Sequence, residues 1–134
     1  MAVFLLDTDT ASRLIRADRA TVGAMRRSGA TNIAISTVTQ SELLYGARLR
    51  DDAPNIMRAV RAFLARVTVE PWDCDAAEQH ALIRATAKAQ GRSAGVFDIM
   101  IAAHARALGV TLVTSDAAIG SLGVDGLRVV DWGK

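Results

Sequence analysis

The sequence predicts an α/β domain in which helices cover both faces of a sheet of four or five mainly parallel strands. Short apolar runs alternate along the chain with longer segments whose apolar residues recur at helical spacing. Strands that alternate with helices in this way imply a parallel sheet packed between two helical layers. At 134 residues the chain suffices for one core, and no repeat or linker divides it. We therefore expect a single three-layer domain over residues 1–134.

The first strand is predicted in the apolar run Ala2–Leu6, which continues directly into the polar segment Asp7–Thr10. A short run of large apolar residues that ends at an acid is typical of a strand buried on both faces. Ligands of open α/β sheets bind outside the carboxyl ends of the strands, so the acids after this central strand mark the expected site. Helices over 11–17, capped by Thr8, Asp9 or Thr10, and over 21–27 follow.

Capping and turn residues delimit the rest of the chain. Pro54 suits the first turn of a helix, Pro71 ends a strand, and Gly91 and Gly109 stop helices. The remaining predicted elements are a strand over 32–36, helices over 39–49 and 54–66, a strand over 67–70, helices over 76–90 and 96–108, a strand over 110–114, a helical turn after Asp116 and a strand over 127–130.

Composition argues against a membrane or secreted protein. No apolar run approaches the roughly 20 residues of a membrane span. The first apolar run has five residues, fewer than the roughly 7 to 15 of a signal-peptide core, and two acids follow it. The single Cys74 excludes an internal disulfide framework and suits a reducing compartment. We expect a cytoplasmic location.

The basic residues are dominated by arginine. Of 16 basic residues only Lys88 and Lys134 are lysines, and the net charge is +2. Arginine pairs with phosphates and carboxylates in a bidentate manner, which favours an anionic partner. The alternative is that these arginines only form a solvated surface.

Four carboxylates are predicted to meet at one edge of the sheet. Asp7 ends the first strand and Asp116 follows the fourth, while Glu42 and Asp98 lie in the first turns of two helices. Helix N-termini and strand C-termini share one edge of a parallel sheet, so all four side chains can face one space.

Each of these acids also has a purely structural explanation. Thr39 and Glu42 fit a capping box, and Asp9, Asp98 and Asp116 fit capping or dipole positions in first turns. Gathered carboxylates repel, however, by about 3 kcal/mol per pair at about 5 Å and a dielectric of about 20. A cation would neutralise them, and carboxylates without Cys or His partners select Mg²⁺ or Mn²⁺. His80 and His104 are expected to be ordinary helix residues.

Four sequence blocks resemble a known family. Together they are similar to PIN-domain ribonucleases and, more narrowly, to the VapC toxins of type II toxin-antitoxin pairs, over nearly the whole chain. The blocks are Leu6-Asp7-Thr8-Asp9, Ser36 to Ala47, Gly95 to Ala105 and Val113-Thr114-Ser115-Asp116, with the Gly91-Arg92 link and the Asp131-Trp132 end.

The resemblance implies a metal-dependent nuclease site. It implies that Asp7, Glu42, Asp98 and Asp116 hold Mg²⁺ or Mn²⁺ and that Thr114 or Ser115 supplies a supporting hydroxyl. Metal-activated water would then cleave RNA, leaving a 5′-phosphate and a 3′-hydroxyl. The family's usual pattern differs in three places: it has Asn in place of Asp9, which here adds an outer charge, a frequent Pro within 94–96, and Asn residues after the Thr corresponding to Thr114.

The resemblance also implies partners. The middle and end of the chain are similar to members that cut initiator tRNA in its anticodon loop. A VapB-like antitoxin would silence the enzyme, and a homodimer within a larger toxin-antitoxin complex is expected. Arg13, Arg16 and Arg92, close in sequence to the acids, are candidates for RNA phosphate contacts, unless they are ordinary solvated arginines.

The helices predicted over 39–49 and 54–66 offer a groove for an amphipathic antitoxin helix. The alternative is that their apolar residues are simply core. The residues in question are the apolar Leu44, Leu49, Ile56, Val60, Phe63 and Leu64 and the basic Arg48, Arg50, Arg58 and Arg61.

Two other functions remain open from the sequence. Asp7-Thr8-Asp9-Thr10 also resembles the nucleophile motif of haloacid-dehalogenase-type phosphatases, but neither Lys88 nor Lys134 is placed for the lysine that class needs. A PIN-like module that only binds partners is the second alternative, although the presence of all four acids argues against it.

Overall fold

The computed structural model of the chain describes residues 3–133 and contains one five-stranded sheet with helices between its strands. Ala2, at the start of the first predicted strand, and Lys134 lie outside this range. The elements are β1 (Phe4–Leu6), α1 (Thr8–Ile15), α2 (Arg19–Ser28), β2 (Ile33–Ser36), α3 (Thr37–Arg48), α4 (Pro54–Arg66), β3 (Thr68–Glu70), α5 (Cys74–Ala89), α6 (Val96–Leu108), β4 (Thr111–Val113), α7 (Ala117–Ser121) and β5 (Val129–Val130).

All strand pairs in this sheet are parallel, and the strand order is β3-β2-β1-β4-β5. Leu6 of β1 pairs with Ile35 of β2 and Val113 of β4, so β1 is the central strand. The predicted α/β class with a mainly parallel sheet is confirmed, and the described strands are in fact wholly parallel. The segments that follow β1, β2 and β4 therefore emerge at one edge.

Side-chain alternation along the strands builds two cores, one on each face of the sheet. Leu5 and Leu112 pack on one face, while Leu6, Ile35 and Val113 pack on the other. These central side chains are almost fully buried, which stabilises the fold by about 1.5–3 kcal/mol each. Helices α5, α6 and α7 cover the first face, and α1, α3 and α4 cover the second.

Helix α1 begins three residues earlier than predicted, and a different residue caps it. The Asp7 carboxylate accepts a hydrogen bond from the Thr10 amide at 2.8 Å, which makes Asp7 the N-cap. The expectation that Thr8, Asp9 or Thr10 caps this helix is wrong. Asp7 therefore directly follows β1, and its side chain caps α1.

Helix α3 also begins earlier than predicted, because Ser36 caps it. The Ser36 hydroxyl accepts a hydrogen bond from the Val38 amide at 3.1 Å, and Thr39 is fully buried inside the first turn. The predicted capping box of Thr39 and Glu42 is therefore wrong, and Glu42 needs another explanation. The bounds predicted for the helices over 54–66 and 96–108 are confirmed.

The two histidines lie on α5 and α6, and neither is among the groups that shift the pKa of Asp98. His104 is buried in α6, and burial lowers the pKa of its imidazole. His80 on α5 lies edge-on to the Trp72 ring, with ring centroids 5.6 Å apart. Within residues 3–133 no helix is long and apolar enough to cross a membrane.

Candidate active site

Two of the predicted acids follow neighbouring strands at the same edge of the sheet. Asp7, after β1, is buried, and one of its carboxylate oxygens accepts the Thr10 amide. Asp116, after β4, caps the short helix α7 by accepting the Ala118 amide at 2.9 Å. The parallel pairing of β1 with β4 brings both residues to this edge.

Glu42 reaches the same edge from the second turn of α3. Its carboxylate accepts a short hydrogen bond from the hydroxyl of Thr8, the residue next to Asp7. The Thr8 hydroxyl also lies 3.3 Å from that of Thr39. Because Ser36 caps α3, the Glu42 carboxylate does not cap this helix and is directed towards the start of α1 instead.

Asp98 lies in the first turn of α6, and the negative charges of the other three acids affect its carboxyl group. The pKa of its carboxyl is raised to about 6, first by burial, then by a hydrogen bond shared with Asp116, and then by the negative charges of Asp116, Asp7 and Glu42. The structure therefore brings all four side chains predicted for the site into one electrostatic cluster. We call Asp7, Glu42, Asp98 and Asp116 the carboxylate cluster.

The cluster is not a preformed ligand cage. Within residues 3–133, no three acidic, histidine or cysteine side chains stand in an arrangement that could hold a metal ion. Each carboxylate is instead directed towards a local donor or neighbour: Asp7 towards Thr10, Glu42 towards Thr8, and Asp98 and Asp116 towards each other. The cluster is thus a set of interacting oxygen donors at the strand edge.

Gly95 is a site residue that sequence reasoning missed. It caps α6 without a side chain, and a Cβ atom added to it would lie 2.8 Å from Asp98 Oδ2. Its φ of −58° is accessible to any residue, so the glycine is required by space and not by backbone conformation. A glycine three residues before an acid at a helix start is the sequence signal that could have indicated this.

Gly95→Ala should displace the Asp98 carboxylate while leaving α6 intact. A misplacement of about 1 Å at a catalytic group can cost about 100-fold in rate, so the RNA cleavage that the sequence resemblance implies should fall at least about tenfold. Gly120→Ala is the matched control, because a Cβ at Gly120 in α7 would meet no atom within 4 Å. Cleavage rates and circular dichroism of both variants test this, and a fully active Gly95→Ala protein would show that the contact does not position Asp98.

The three supporting residues predicted around the cluster make different contacts. Thr114 is buried, and its hydroxyl accepts the Asp116 amide at 3.0 Å, so it holds the backbone of a cluster residue. Ser115 donates its hydroxyl to Asp131 at 2.6 Å. Asp9 is mostly exposed, pairs with Arg13 at 2.9 Å, and is not among the groups that raise the pKa of Asp98.

The three arginines predicted to contact RNA differ in their surroundings. Arg13 donates to Ser115 at 2.9 Å in addition to its ion pair with Asp9. Arg92 donates to the Ser121 carbonyl at 2.6 Å, and Arg16 donates to the Ser12 hydroxyl at 2.8 Å. Arg16 and Arg92 are exposed to solvent.

A groove runs from the cluster along α3 and α4. Its first part is a cavity of about 490 Å³ that begins at Thr8 and Glu42, and its second is a recess of about 660 Å³ that shares Ala47 and Arg50 with the first. We call the first part the apolar groove; its apolar lining includes Ile15, Leu43, Ile56, Ala59 and Val60. We call the second part the basic recess; its charged lining consists of Arg48, Arg50, Arg58 and Arg61 and one acid, Asp51.

This groove differs from the one that the sequence predicted. Five of the six predicted apolar residues belong to or pack against the core on this face of the sheet, so for them the alternative of core residues is confirmed: Leu44, Ile56, Val60, Phe63 and Leu64. Of these, Ile56 and Val60 also line the apolar groove. Leu49 is exposed and lines neither part of the groove, so its predicted place there is wrong. Ile15 and Ala59, which were not predicted, contribute to the lining instead. The four arginines of the basic recess agree with the prediction and are exposed.

Comparisons with known proteins agree with this architecture. The family model of the PIN domain matches residues 4–124. A Shigella flexneri protein named tRNA(fMet)-specific endonuclease VapC is 36% identical over 132 residues, which cover 98% of this chain and 99% of the relative. The crystal structure of DNA-bound VapBC from Salmonella typhimurium is similar with a TM-score of 0.87 and 30% identity, covering 98% of this chain and 99% of that one. VapBC-1 from nontypeable Haemophilus influenzae is similar with a TM-score of 0.83 and 26% identity, with the same coverage.

Proposed function

The chain belongs to the PIN-domain family and, within it, to the VapC toxins of toxin-antitoxin systems, relatives of which are named endonucleases. From this premise we propose that it is a Mg²⁺- or Mn²⁺-dependent endoribonuclease that cleaves tRNA. The observation that carries the proposal is the meeting of four carboxylates at one edge of the sheet, where Asp7 and Asp116 follow paired strands and Glu42 and Asp98 reach them from α3 and α6. The raised pKa of Asp98 agrees with this placement. Family membership favours this function over a haloacid-dehalogenase-type phosphatase. It leaves the non-catalytic binding module as the alternative that activity assays must exclude.

The donor chemistry of the carboxylate cluster fits a hard divalent cation. Its four members are carboxylates from four different segments: the N-caps of α1 and α7, the first turn of α6 and the second turn of α3. Carboxylate oxygens are the ligands that Mg²⁺ and Mn²⁺ prefer. A cation would relieve the mutual repulsion that raises the pKa of Asp98. We therefore propose that Asp7, Glu42, Asp98 and Asp116 hold the metal.

The chain's own groups would prepare this site for hydrolysis of a phosphodiester bond. A divalent cation bound there lowers the pKa of water towards neutrality and stabilises negative charge on the phosphate. Thr8 orients Glu42 through its hydroxyl, and Thr114 holds the Asp116 backbone. These contacts fix the acids while the scissile phosphate is positioned.

Basic residues near the cluster are suited to the RNA backbone. Arg92 leads into the Asp98 helix, and Arg84 and Lys88 on α5 line a surface cavity with it. Arg16 lies at the end of α1 on the other side. Guanidinium and ammonium groups on both sides of a catalytic edge would hold phosphates without reading sequence. Arg16 and Arg92 are therefore our proposed RNA contacts.

The relatives support tRNA as the substrate, and initiator tRNA as the first candidate. Two of them, from Shigella flexneri and Salmonella typhimurium, are named tRNA(fMet)-specific endonucleases and are 36% and 30% identical. Sequencing RNA ends after induced expression should find new 5′-phosphate ends within the anticodon loop of initiator tRNA. New ends confined to messenger or ribosomal RNA would contradict this substrate, and no new ends would contradict the ribonuclease proposal.

We propose that the apolar groove and basic recess receive a helix of a VapB-like antitoxin. Similarity to VapBC complexes supports such a partner. The groove runs from the acidic cluster to four exposed arginines, so an amphipathic helix could place its apolar face in it and acidic residues at the recess. A basic side chain at the other end of that helix would meet the carboxylate cluster and compete with metal.

Ala59→Arg should block the apolar groove and weaken antitoxin binding by at least about tenfold, or about 1.4 kcal/mol. Ala59 is exposed in α4 and lines the groove, so a long side chain there fills the groove without disturbing the core. Ala65→Arg, also exposed in α4 but outside the groove, is the matched control. Copurification of each variant with the coexpressed antitoxin measures the effect, and equal recovery of both variants would exclude this groove.

The homodimer remains a prediction. Tyr45 on α3, Leu49 directly after α3, and Val96 and Phe97 at the start of α6 are large apolar residues exposed in the single chain. Exposed apolar residues of this size are typical of protein interfaces. Light scattering of the free protein would give its oligomeric state.

A further inference from the structure

The last described residues of the chain return to the edge that carries the carboxylate cluster. The Asp131 carboxylate accepts the Ser115 hydroxyl at 2.6 Å and the Gly133 amide at 2.7 Å through the same oxygen. Ser115 in turn accepts a hydrogen bond from the Arg13 guanidinium at 2.9 Å. We call Arg13, Ser115, Asp131 and Gly133 the C-terminal clamp.

The clamp is packed without spare room. A Cβ atom added to Gly133 would clash with the Arg13 guanidinium, would lie 2.7 Å from Ser115 Oγ, and would lie 3.1 Å from the Asp131 carboxylate. Trp132, between Asp131 and Gly133, is buried and packs on the Phe4 ring with centroids 5.4 Å apart. The tail is therefore anchored in the core on one side and hydrogen-bonded to the site edge on the other.

The clamp joins the two segments that carry Asp7 and Asp116. Arg13 lies on α1, the helix that Asp7 caps. Ser115 lies directly before Asp116, which holds the hydrogen bond with Asp98. Helix α7 has only five residues, so its own hydrogen bonds give Asp116 little support. The hydrogen bonds of Ser115 provide support from outside that helix.

Both ends of the Arg13 guanidinium have partners, one inside the clamp and one outside it. One terminal nitrogen donates to Ser115 and the other pairs with Asp9 at 2.9 Å, and the side chain is only 27% exposed. A guanidinium held in this way has fewer free donors for an RNA phosphate than the exposed Arg16 or Arg92. Arg13 is therefore less suited than Arg16 and Arg92 to bind an RNA phosphate.

We propose that Arg13, Ser115 and Asp131 are positioning residues that fix Asp116 within the carboxylate cluster. This inference rests on the proposed function, because it assigns the clamp to the metal site of the nuclease. Groups that orient metal ligands typically change metal affinity or activity by about 10- to 100-fold when they are removed. The clamp should therefore act on metal affinity and kcat, and not on RNA binding.

Ser115→Ala tests the proposal with the removal of a single hydroxyl. We expect Mn²⁺ affinity, measured by calorimetry, to fall at least about tenfold, and kcat to fall while KM stays within about twofold. Ser121→Ala is the matched control, since Ser121 is an exposed serine of α7 whose hydroxyl bonds only within that helix. Unchanged Mn²⁺ affinity and kcat in folded Ser115→Ala would overturn the proposal.

Two substitutions of Asp131 that differ in the acceptor oxygen they retain test the proposal further. A merely structural role would not produce the difference in Mn²⁺ affinity expected between them. Asp131→Asn keeps an acceptor oxygen for Ser115 and Gly133, whereas Asp131→Ala removes it. We expect the Asn variant to retain most of the Mn²⁺ affinity that the Ala variant loses. Equal losses in the two variants, with equal melting temperatures, would contradict positioning through these hydrogen bonds.

Arg13→Gln separates positioning from RNA binding. The clamp predicts weaker Mn²⁺ binding and an unchanged salt dependence of RNA binding. A raised KM with a shallower salt dependence and normal Mn²⁺ affinity would assign Arg13 to an RNA phosphate and overturn the proposal. Wild-type protein that binds no Mn²⁺ would instead defeat the proposed function, so the two failures are distinguishable.

Discussion

Asp7→Asn and Asp98→Asn should each abolish Mg²⁺-dependent RNA cleavage and growth arrest while the protein stays folded. Removing a group that only orients a ligand costs about 10- to 100-fold, so loss of a ligand should cost at least about 100-fold. Asparagine is as good an N-cap as aspartate, so the Asp7→Asn side chain should still accept the Thr10 amide and α1 should form normally. The amide introduced by Asp98→Asn can still form a hydrogen bond with Asp116.

Cleavage assays with purified wild-type and variant proteins measure this loss, and circular dichroism verifies the fold. The RNA should be cut by the wild type only when Mg²⁺ or Mn²⁺ is present. Activity of both variants within about tenfold of wild type would remove Asp7 and Asp98 from the site. A wild-type protein that binds antitoxin but never cuts RNA would favour the non-catalytic binding module.

Glu42→Gln should also remove activity, with little change in stability. Ser36 caps α3, so Glu42 does not belong to a capping box and the helix keeps its cap in Glu42→Gln. Loss of the Glu42 charge should therefore cost at most about 1 kcal/mol of folding stability. Its carboxylate accepts the Thr8 hydroxyl beside Asp7, which places it among the acids that raise the pKa of Asp98. We therefore expect cleavage to fall by about 100-fold.

Ser41→Ala is the control for this change, since Ser41 precedes Glu42 in the same helix and is exposed. Melting curves and cleavage rates of both proteins are to be compared. Normal cleavage by Glu42→Gln together with a lower melting temperature would return Glu42 to a purely structural role.

The fold was predictable because short apolar runs recur along the chain. Apolar runs such as those ending at Leu6 and Val113 are buried on both faces, and only a parallel sheet covered by helices gives them that environment. Helix starts were less predictable. Several polar residues precede α1 and α3, and each of them has a side chain that can cap a helix. The residue that caps the helix is determined by where the preceding strand ends, and not by its own capping preference.

The four acids of the cluster were predictable from topology, since strand ends and helix starts share one edge. Gly95 was not, because its requirement for space arises from the folded position of the Asp98 carboxylate. The clamp was not predictable either, since Arg13, Ser115 and Asp131 are far apart in sequence and meet only through tertiary packing.

Thermal unfolding of wild type and Asp98→Asn, with and without Mg²⁺, tests the carboxylate metal site most directly. Without metal, Asp98→Asn should melt higher than wild type, because one of four mutually repelling carboxylates has lost its charge. A ligand at about 100 times its Kd stabilises the folded state by about 2.7 kcal/mol, so Mg²⁺ should raise the wild-type melting temperature by several degrees and leave Asp98→Asn unchanged. Equal Mg²⁺-induced shifts in both proteins, or none in the wild type, would contradict a metal site at this edge of the sheet.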